Sequence, residues 1–555
     1  MKVLQALLFL TWVVLEGVGF GAEPHPRIRR IVIEHLGVFG PDERLDDVPL
    51  LPDLTFIFDA ANFIHYDTRH YVIRRELLFR EGDVADPKLL EESERNLRNL
   101  DYLRQSRVLT QPAGPGEVDV IIHVQDTWTT EPRLSFSSGG GSETSEFGIV
   151  EKNLFGRGKK ITLRRREELD RTSNQMMYDD ARIWGSRWHF AGNYEDTSDG
   201  TVRQGLIEYP FFALETPWSG GFRLSDLRER NTIFGEGGVE RAEFLRKQEF
   251  FEARVGHRVG MSTPRVVHRL GAFYRRIDDD FADRAFGPEP ELVPEDRLES
   301  FPGLWYRREI VRFVRERRLS RFDRIEDLNL GNTLEVEAGY SAKAFEATEN
   351  EPIVTLLDRQ GFDFGPGRKA FLFGLLSTRY ADGDVRSGIL ELEGIAFNRA
   401  HLFFEQTFVS RLKLDIGRNL DRDLQLFLGN DNGLRGFDTR ELVGTRRVIF
   451  NLEDRIFFVN DLFHLVSLGA VLFFDSGAVW NRSRALGLDD FASSVGIGLR
   501  IGAPRSADEK IWRFDLAIPL SNAGRDRFMP EFSFGSRQAF VPFVGPFDLQ
   551  TSGGD

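Results

Sequence analysis

Two textures divide the chain. From about Arg133 onward, apolar and polar residues alternate with a period of two, run after run. In the stretch 332–341, Leu334, Val336, Ala338 and Tyr340 fall on one face, and Thr333, Glu335, Glu337 and Gly339 on the other. In 494–502 the apolar face is Val495, Ile497, Leu499 and Ile501, opposite Gly496, Gly498 and Arg500. Further on, Trp512, Phe514, Leu516 and Ile518 alternate with Arg513, Asp515 and Ala517. This period predicts strands with one apolar and one polar face. A soluble sheet with one wet face has the same pattern. The balance tips toward a membrane because the runs are long enough to span, many end in aromatics, and the pattern continues almost to the C-terminus. Spanning strands take about 9–11 tilted residues, and aromatic girdles mark both interfaces. An open edge would leave unpaired backbone groups in hydrocarbon, so the sheet must close. The prediction is a transmembrane antiparallel β-barrel over residues 131–540.

Ahead of it, residues 27–128 read differently. Ile28 to Leu36 suits a strand, Arg107 to Thr110 a short second one, and Val118, Val120, Ile122 and Val124 a third. Asp86-Pro87 opens a helix, because Asp caps free amides and Pro fits the first turn. Leu90, Leu97 and Leu100 follow at near-helical spacing, with Glu91, Glu92 and Glu94 near the positive end of the dipole. Thr68 is placed to cap an earlier helix through Val72, Ile73 and Leu77. The unit is a small α+β domain of order β-α-α-β-β. Before it, Lys2, the apolar run Val3 to Leu15 and the small residues near Gly19 to Ala22 read as a signal peptide over 1–21.

Composition sharpens this picture. The chain has 555 residues, 49 of them Phe, 53 Gly and only 5 Met, a balance suited to strands and tight turns. Cys is absent, which removes disulfides, thiolate metal sites, cysteine nucleophiles and lipid attachment. The net charge of −14 argues against nucleic acid as a partner. The ten His are scattered, with no His-Glu-x-x-His helix and no Gly-x-Ser-x-Gly elbow. Asp278-Asp279-Asp280 reads as a solvated loop rather than a cation site. No catalytic residue, cofactor or metal site is expected.

Several motifs carry a family resemblance. Val72 to Phe79, Glu81-Gly82-Asp83 and the helix reaching Leu100 resemble the middle of a POTRA domain. Asn153-Leu154-Phe155-Gly156-Arg157-Gly158-Lys159 resembles a segment near the first barrel hairpin, and Gly433-Leu434-Arg435-Gly436-Phe437 resembles an Arg-Gly-Phe loop motif. Downstream, Phe473-Phe474-Asp475-Ser476-Gly477 matches a Phe-x-Asp-x-Gly strand motif. Together they resemble the BamA/TamA outer-membrane superfamily, which includes the two-partner secretion transporters. The resemblance implies about sixteen strands, one periplasmic POTRA-like domain and residence in the bacterial outer membrane.

It also implies a loop folded into the lumen, where Arg435, Gly436 and Phe437 lock against Asp475 and Gly477. Alternation independently points Asp475, Asn451, Glu453 and Arg455 inward, since Leu468, Ala470, Leu472, Phe474, Val448, Phe450 and Leu452 form the lipid face. A guanidinium favours a carboxylate there, because its planar fork of donors matches two oxygens at once. A charge-swapped 435/475 pair would then recover part of what either single substitution loses.

The implied function is non-enzymatic insertion or translocation of proteins. Client strands would bind the POTRA edge by β-augmentation. A lateral seam, with Ser135 and Phe136 on one side and Phe532 and Phe534 on the other, would open into the bilayer. Periplasmic or lipoprotein accessory subunits are further implied partners. A dedicated secretion pore, and less so a lipid-handling barrel or barrel enzyme, stand as alternatives. Two departures from the pattern are the insertion at 41–66 and the tail at 541–555.

Overall fold

The computed structural model describes residues 25–39, 65–139, 142–168, 171–263, 265–281, 287–322, 324–430, 432–463, 465–507, 510–521 and 530–535. The signal segment, the C-terminal tail and nearly all of the 41–66 insertion lie outside the described residues.

The first unit comprises β1 (Arg27–Leu36), α1 (His70–Glu76), α2 (Pro87–Arg98), β2 (Leu103–Gly114) and β3 (Glu117–Asp126). β3 is central, parallel to β1 and antiparallel to β2. Its alternating Val118, Val120, Ile122 and Val124 pack against Ile28, Ile31, Ile73, Leu97 and Leu103. Burying one such side chain contributes about 1.5–3 kcal/mol. Asp86 caps α2, accepting from the Lys88 amide at 2.9 Å, and Pro87 opens the helix. Thr68 does not cap α1: Arg69 takes that position without a side-chain bond. The Thr68 amide instead donates to Asp126, and its hydroxyl accepts from Asn153. β2 runs well beyond Arg107 to Thr110 in both directions, because pairing with β3 extends strand structure over residues of weak local preference.

From Thr130 to Gly535 the chain meanders, each barrel strand pairing antiparallel with the next, and the ring closes where Glu531–Gly535 lies beside Thr130–Gly139. The ring holds twenty strands among the described residues, more than the sixteen or so implied by resemblance. Six of them fall between Thr130 and Tyr209, where strands of 9 or 10 residues follow one another across short turns. Their outer and inner faces differ too little in polarity there for alternation to count them.

The two faces obey the sequence period. Leu372, Leu392, Leu412, Leu472 and Ile497 project outward and are exposed, forming a large apolar belt that only lipid would cover. Glu335 and Glu337 project inward, where Arg254 meets the first at 2.7 Å and Arg275 meets the second at 3.0 Å. Among the described residues no helix is long and apolar enough to cross a membrane. Asp279 of the acidic run is buried and paired with Arg246 and Arg297, both at 2.9 Å.

A charge on the outer face near mid-strand should therefore be costly. Leu412→Arg is expected to destabilise the barrel by about 2–4 kcal/mol in denaturant unfolding from lipid vesicles. Ser377→Lys is expected to leave stability nearly unchanged, because Ser377 faces the lumen beside Thr355, hydroxyl to hydroxyl at 3.4 Å.

Candidate functional site in the barrel lumen

The strands Glu405–Arg418 and Arg446–Leu462 are joined by residues 419–445, which fold back into the barrel. A small sheet of Leu426–Leu428 with Leu442–Gly444 braces this loop. Leu428, Leu434 and Phe437 are fully buried with Ile449 and Ala492 of the wall. Gly436 has φ +88°, and a Cβ there would sit 3.0 Å from that of Ala517. Gly477 leaves room for Leu428, whose side chain would lie 2.7 Å from an added Cβ.

This anchoring delivers Arg435 to a ring of inward-facing acids. Its Nε donates to Asp475 Oδ2 at 2.7 Å and its Nη2 to Asp475 Oδ1 at 2.9 Å. Its Nη1 donates to Glu453 Oε1 at 2.9 Å and approaches Asp515 Oδ2 at 3.5 Å. The guanidinium also lies over the Phe473 ring, 3.6 Å from its centroid. The Asn451 amide donates to Gly433 O at 2.8 Å and to Asp475 Oδ1 at 2.7 Å, tying loop to wall. Arg455 donates to Glu453 Oε2 at 2.8 Å, and Arg500 to Asp515 Oδ1 at 2.5 Å. Three buried carboxylates thus face three buried guanidiniums, which is how ions survive away from water.

The lumen is also entered from the POTRA side. The segment 311–331 forms a hairpin of Phe313–Glu316 with Glu326–Asn329, and its tip rises into the barrel. Leu319 packs on Ile395, Phe397 and Val409, and Phe322 meets Phe457 edge-on at 5.3 Å. Arg455 Nη1 donates to Leu319 O at 2.8 Å, so the side chain braced by Glu453 also holds this tip. The hairpin is fastened below as well. Arg98 of α2 grips Asp327 at 2.6 and 2.8 Å, and Arg324 donates to Leu103 O at 2.7 Å and to Leu100 O at 3.2 Å. A polar cavity of about 480 Å³ remains between hairpin, wall and α2, lined by Arg98, Glu309, Arg321, Arg324, Asp327 and Arg359.

Arg435, Gly436, Phe437, Asn451, Glu453, Arg455, Asp475 and Gly477 all lie in or beside this cluster. The sequence reading missed Asp515, Arg500 and the hairpin tip as members, although alternation had already set Asp515 and Arg500 on the polar face. At the seam, Phe532 is exposed and Phe534 half-buried on the last strand, with the Phe514 ring 4.6 Å from that of Phe534. Ser135 and Phe136 lie on the first strand, opposite Glu146 and Ser145 of the next. The lock reaches toward this seam, since Asp515 and Ala517 belong to Ile511–Pro519, the strand paired with the last one. The Asn153 to Lys159 segment is the periplasm-facing turn between the second and third barrel strands, where Gly156 O accepts from the Arg69 amide at 3.0 Å.

Because Arg435 faces three acids, the expectation that a charge swap would help is corrected: an acid at 435 would still confront Glu453 and Asp515. Arg435→Ala should lower barrel stability by about 3–5 kcal/mol, the range for orphaning a buried ionic partner. Arg435→Lys should lose less, and the doubly swapped 435/475 variant should be no better than Arg435→Ala. Thermal unfolding in detergent micelles checks all three.

Two family models match segments of this chain. An Omp85 superfamily domain model matches residues 396–540, which contain the whole lock. A POTRA model, described as a surface antigen variable number repeat, matches residues 63–126. A Treponema pallidum (strain Nichols) protein, whose name describes it as an outer membrane protein assembly factor, is 28% identical over 249 residues. That match covers 42% of this chain and 28% of the relative, so the chain spans little more than a quarter of that protein's length. Among solved structures, BamA from Haemophilus ducreyi lacking POTRA domains 1–3 is 13% identical with a TM-score of 0.37, covering 92% of this chain and 84% of that one. CdiB from Acinetobacter baumannii is 13% identical with a TM-score of 0.44, covering 92% and 74%. CdiB from Escherichia coli is 11% identical with a TM-score of 0.44, covering 94% and 92%. The arginine loop and its wall partners thus lie in a segment that matches the Omp85 superfamily domain model, and the unit ahead of the barrel matches the POTRA model, so the chain carries an Omp85 superfamily domain preceded by a POTRA repeat.

Proposed function

We propose that this protein inserts or assembles other proteins in the outer membrane, without enzymatic chemistry, through the seam in its wall rather than through its lumen. The observation that carries this reading is that the lumen is occupied from both ends on buried ion pairs. The Arg435 loop enters from one side and the 313–329 hairpin from the other, and Arg455 connects them. Emptying the barrel for a passing chain would break both sets of pairs. Opening the seam would break only the closing ladder, between Thr130–Gly139 and the short last strand Glu531–Gly535 of five residues.

In this reading the POTRA unit receives client strands on the β2 edge. The β1 edge is partly taken, because Ile28 exchanges backbone bonds with Gly82 and Asp83 at 2.7 and 2.8 Å. On β2 the Val108 amide points away from β3, to Glu94 at 2.9 Å, and the period of two turns the Thr110 amide the same way. With the Val108 amide already taken by Glu94, the Thr110 amide is the main-chain donor through which β-augmentation would supply affinity. Periplasmic or lipoprotein accessory subunits would extend this receiving surface.

The native chain lacks Cys, which makes a covalent seam lock a clean test. A cysteine pair introduced across the neighbouring strands Thr130–Gly139 and Glu531–Gly535 should, once oxidised, lower the level of client barrels in the outer membrane, and reduction should restore it. Unchanged client barrels with the crosslink formed would overturn the seam reading. Separately, Thr110→Pro should reduce photo-crosslinking of unfolded clients to β2 several-fold while leaving the barrel's thermal midpoint in place.

A further inference from the structure

We infer that the POTRA unit docks on anionic phospholipid of the adjoining membrane leaflet, through a basic and aromatic surface built by α1 and two periplasm-facing turns of the barrel. The two turns share one conformation. Leu154-Phe155-Gly156 and Ile183-Trp184-Gly185 each form a single 3₁₀ turn. In each the aromatic residue is left-handed, with φ +54° at Phe155 and +49° at Trp184, and the glycine after it is left-handed too. That conformation is unfavourable for any residue with a Cβ. Neither ring is buried in return: Trp184 is 97% exposed and Phe155 50%. A strained backbone that twice holds a large ring outward points to something outside the chain that receives the ring.

α1 joins the turns into one surface. At its start, the Arg69 amide donates to Gly156 O at 3.0 Å and Arg69 Nε to Phe155 O at 3.1 Å. In its last turn, Arg75 fills the space that Gly185 leaves, with Nη2 only 2.5 Å from where a Cβ would stand. Its guanidinium also lies over the ring of the exposed Tyr71, 4.4 Å from the centroid. The exposed Tyr66 meets Phe155 edge-on at 5.6 Å.

Charge and continuity name the occupant. Residues 66–76, 153–158 and 182–187 carry six arginines against two acids, on a chain of net charge −14. Arg182 and Arg187 are engaged by Glu76, and Arg74 by Glu81. Among the described residues Arg69, Arg75 and Arg157 have no carboxylate partner. Guanidiniums match phosphate oxygens, and aromatic rings settle at the level of lipid headgroups. The lipid-facing belt also runs up to both turns. Tyr178 and Phe190, on the same face as the exposed Met176 and with rings 6.2 Å apart, flank the second turn. Lys159, which follows the first, donates to the Tyr178 hydroxyl at 3.2 Å. A surface that continues a lipid belt and adds unpaired cations fits an anionic leaflet, whose surface potential attracts such residues. Docking there would fix the height and tilt of the POTRA unit beneath the barrel, independently of how the seam behaves.

Because the chain lacks Cys, a fluorophore can be placed at His70→Cys, on exposed α1 between the turns. The full labelled chain is reconstituted in nanodiscs of phosphatidylethanolamine, with or without phosphatidylglycerol, containing lipids that carry a headgroup nitroxide. Quenching should be several-fold stronger with phosphatidylglycerol and should weaken in high salt. Replacing Arg69, Arg75 and Arg157 together by Gln should return it to the phosphatidylethanolamine level. Trp184→Gly is the decisive variant: glycine relieves the left-handed position, so the thermal midpoint should hold or rise while quenching falls. Equal quenching in the two bilayers, or native quenching in either variant, would leave the surface to a periplasmic protein and overturn the proposal.

Discussion

Inside hydrocarbon a backbone amide has no water to bond, so every strand needs a neighbour on each side and the sheet must close on itself. The remaining features of this protein descend from that closure. A closed sheet has an inside and an outside, and the pleat sends successive side chains to one and then the other. Leu412 and Leu472 therefore face lipid, while Glu453 and Asp475 face a narrow interior from which much of the water is excluded. Charges placed there must find each other. The wall of acids on neighbouring strands creates a demand for cations that a folded-in arginine loop meets.

The same demand explains the periplasm-facing hairpin. Arg455 has one donor on Glu453 and another on a carbonyl of the hairpin tip, so one wall residue serves two inserted segments. From Arg435 to Arg324 a continuous set of polar contacts, interrupted only by the turn of the hairpin, runs from the loop to the carbonyls at the end of α2. Buried ionic networks add little net stability over well-packed apolar groups, but breaking one member strands its partners. Such a network favours all-or-none rearrangement: loop, wall and hairpin hold together, or several guanidiniums are orphaned at once.

Much of this was legible in the sequence because it depends on a period of two. Asp475, Asn451, Glu453 and Arg455 were set inward by alternation alone, and their partners agree. Asp515 sat on the right face, but its membership in the cluster depends on which strands become neighbours, which alternation does not encode. The hairpin was not foreseen, since a connecting segment has no period. A signal existed nonetheless, in the eight arginines between Arg307 and Arg324, far more than a solvated turn requires. Thr68 misled because its capping preference is local, whereas its actual partners, Asp126 and Asn153, lie 58 and 85 residues away.

The doubly filled lumen also bears on the envelope as a sieve. Wide barrels with water-filled interiors admit salts and small solutes down their axis. Here a solute crossing the resting barrel would have to part Arg435 from Asp475 and then Arg455 from Glu453, against charges that already neutralise one another. A barrel that worked through its edge, as proposed, could thus sit in the membrane in many copies without becoming a leak for small solutes.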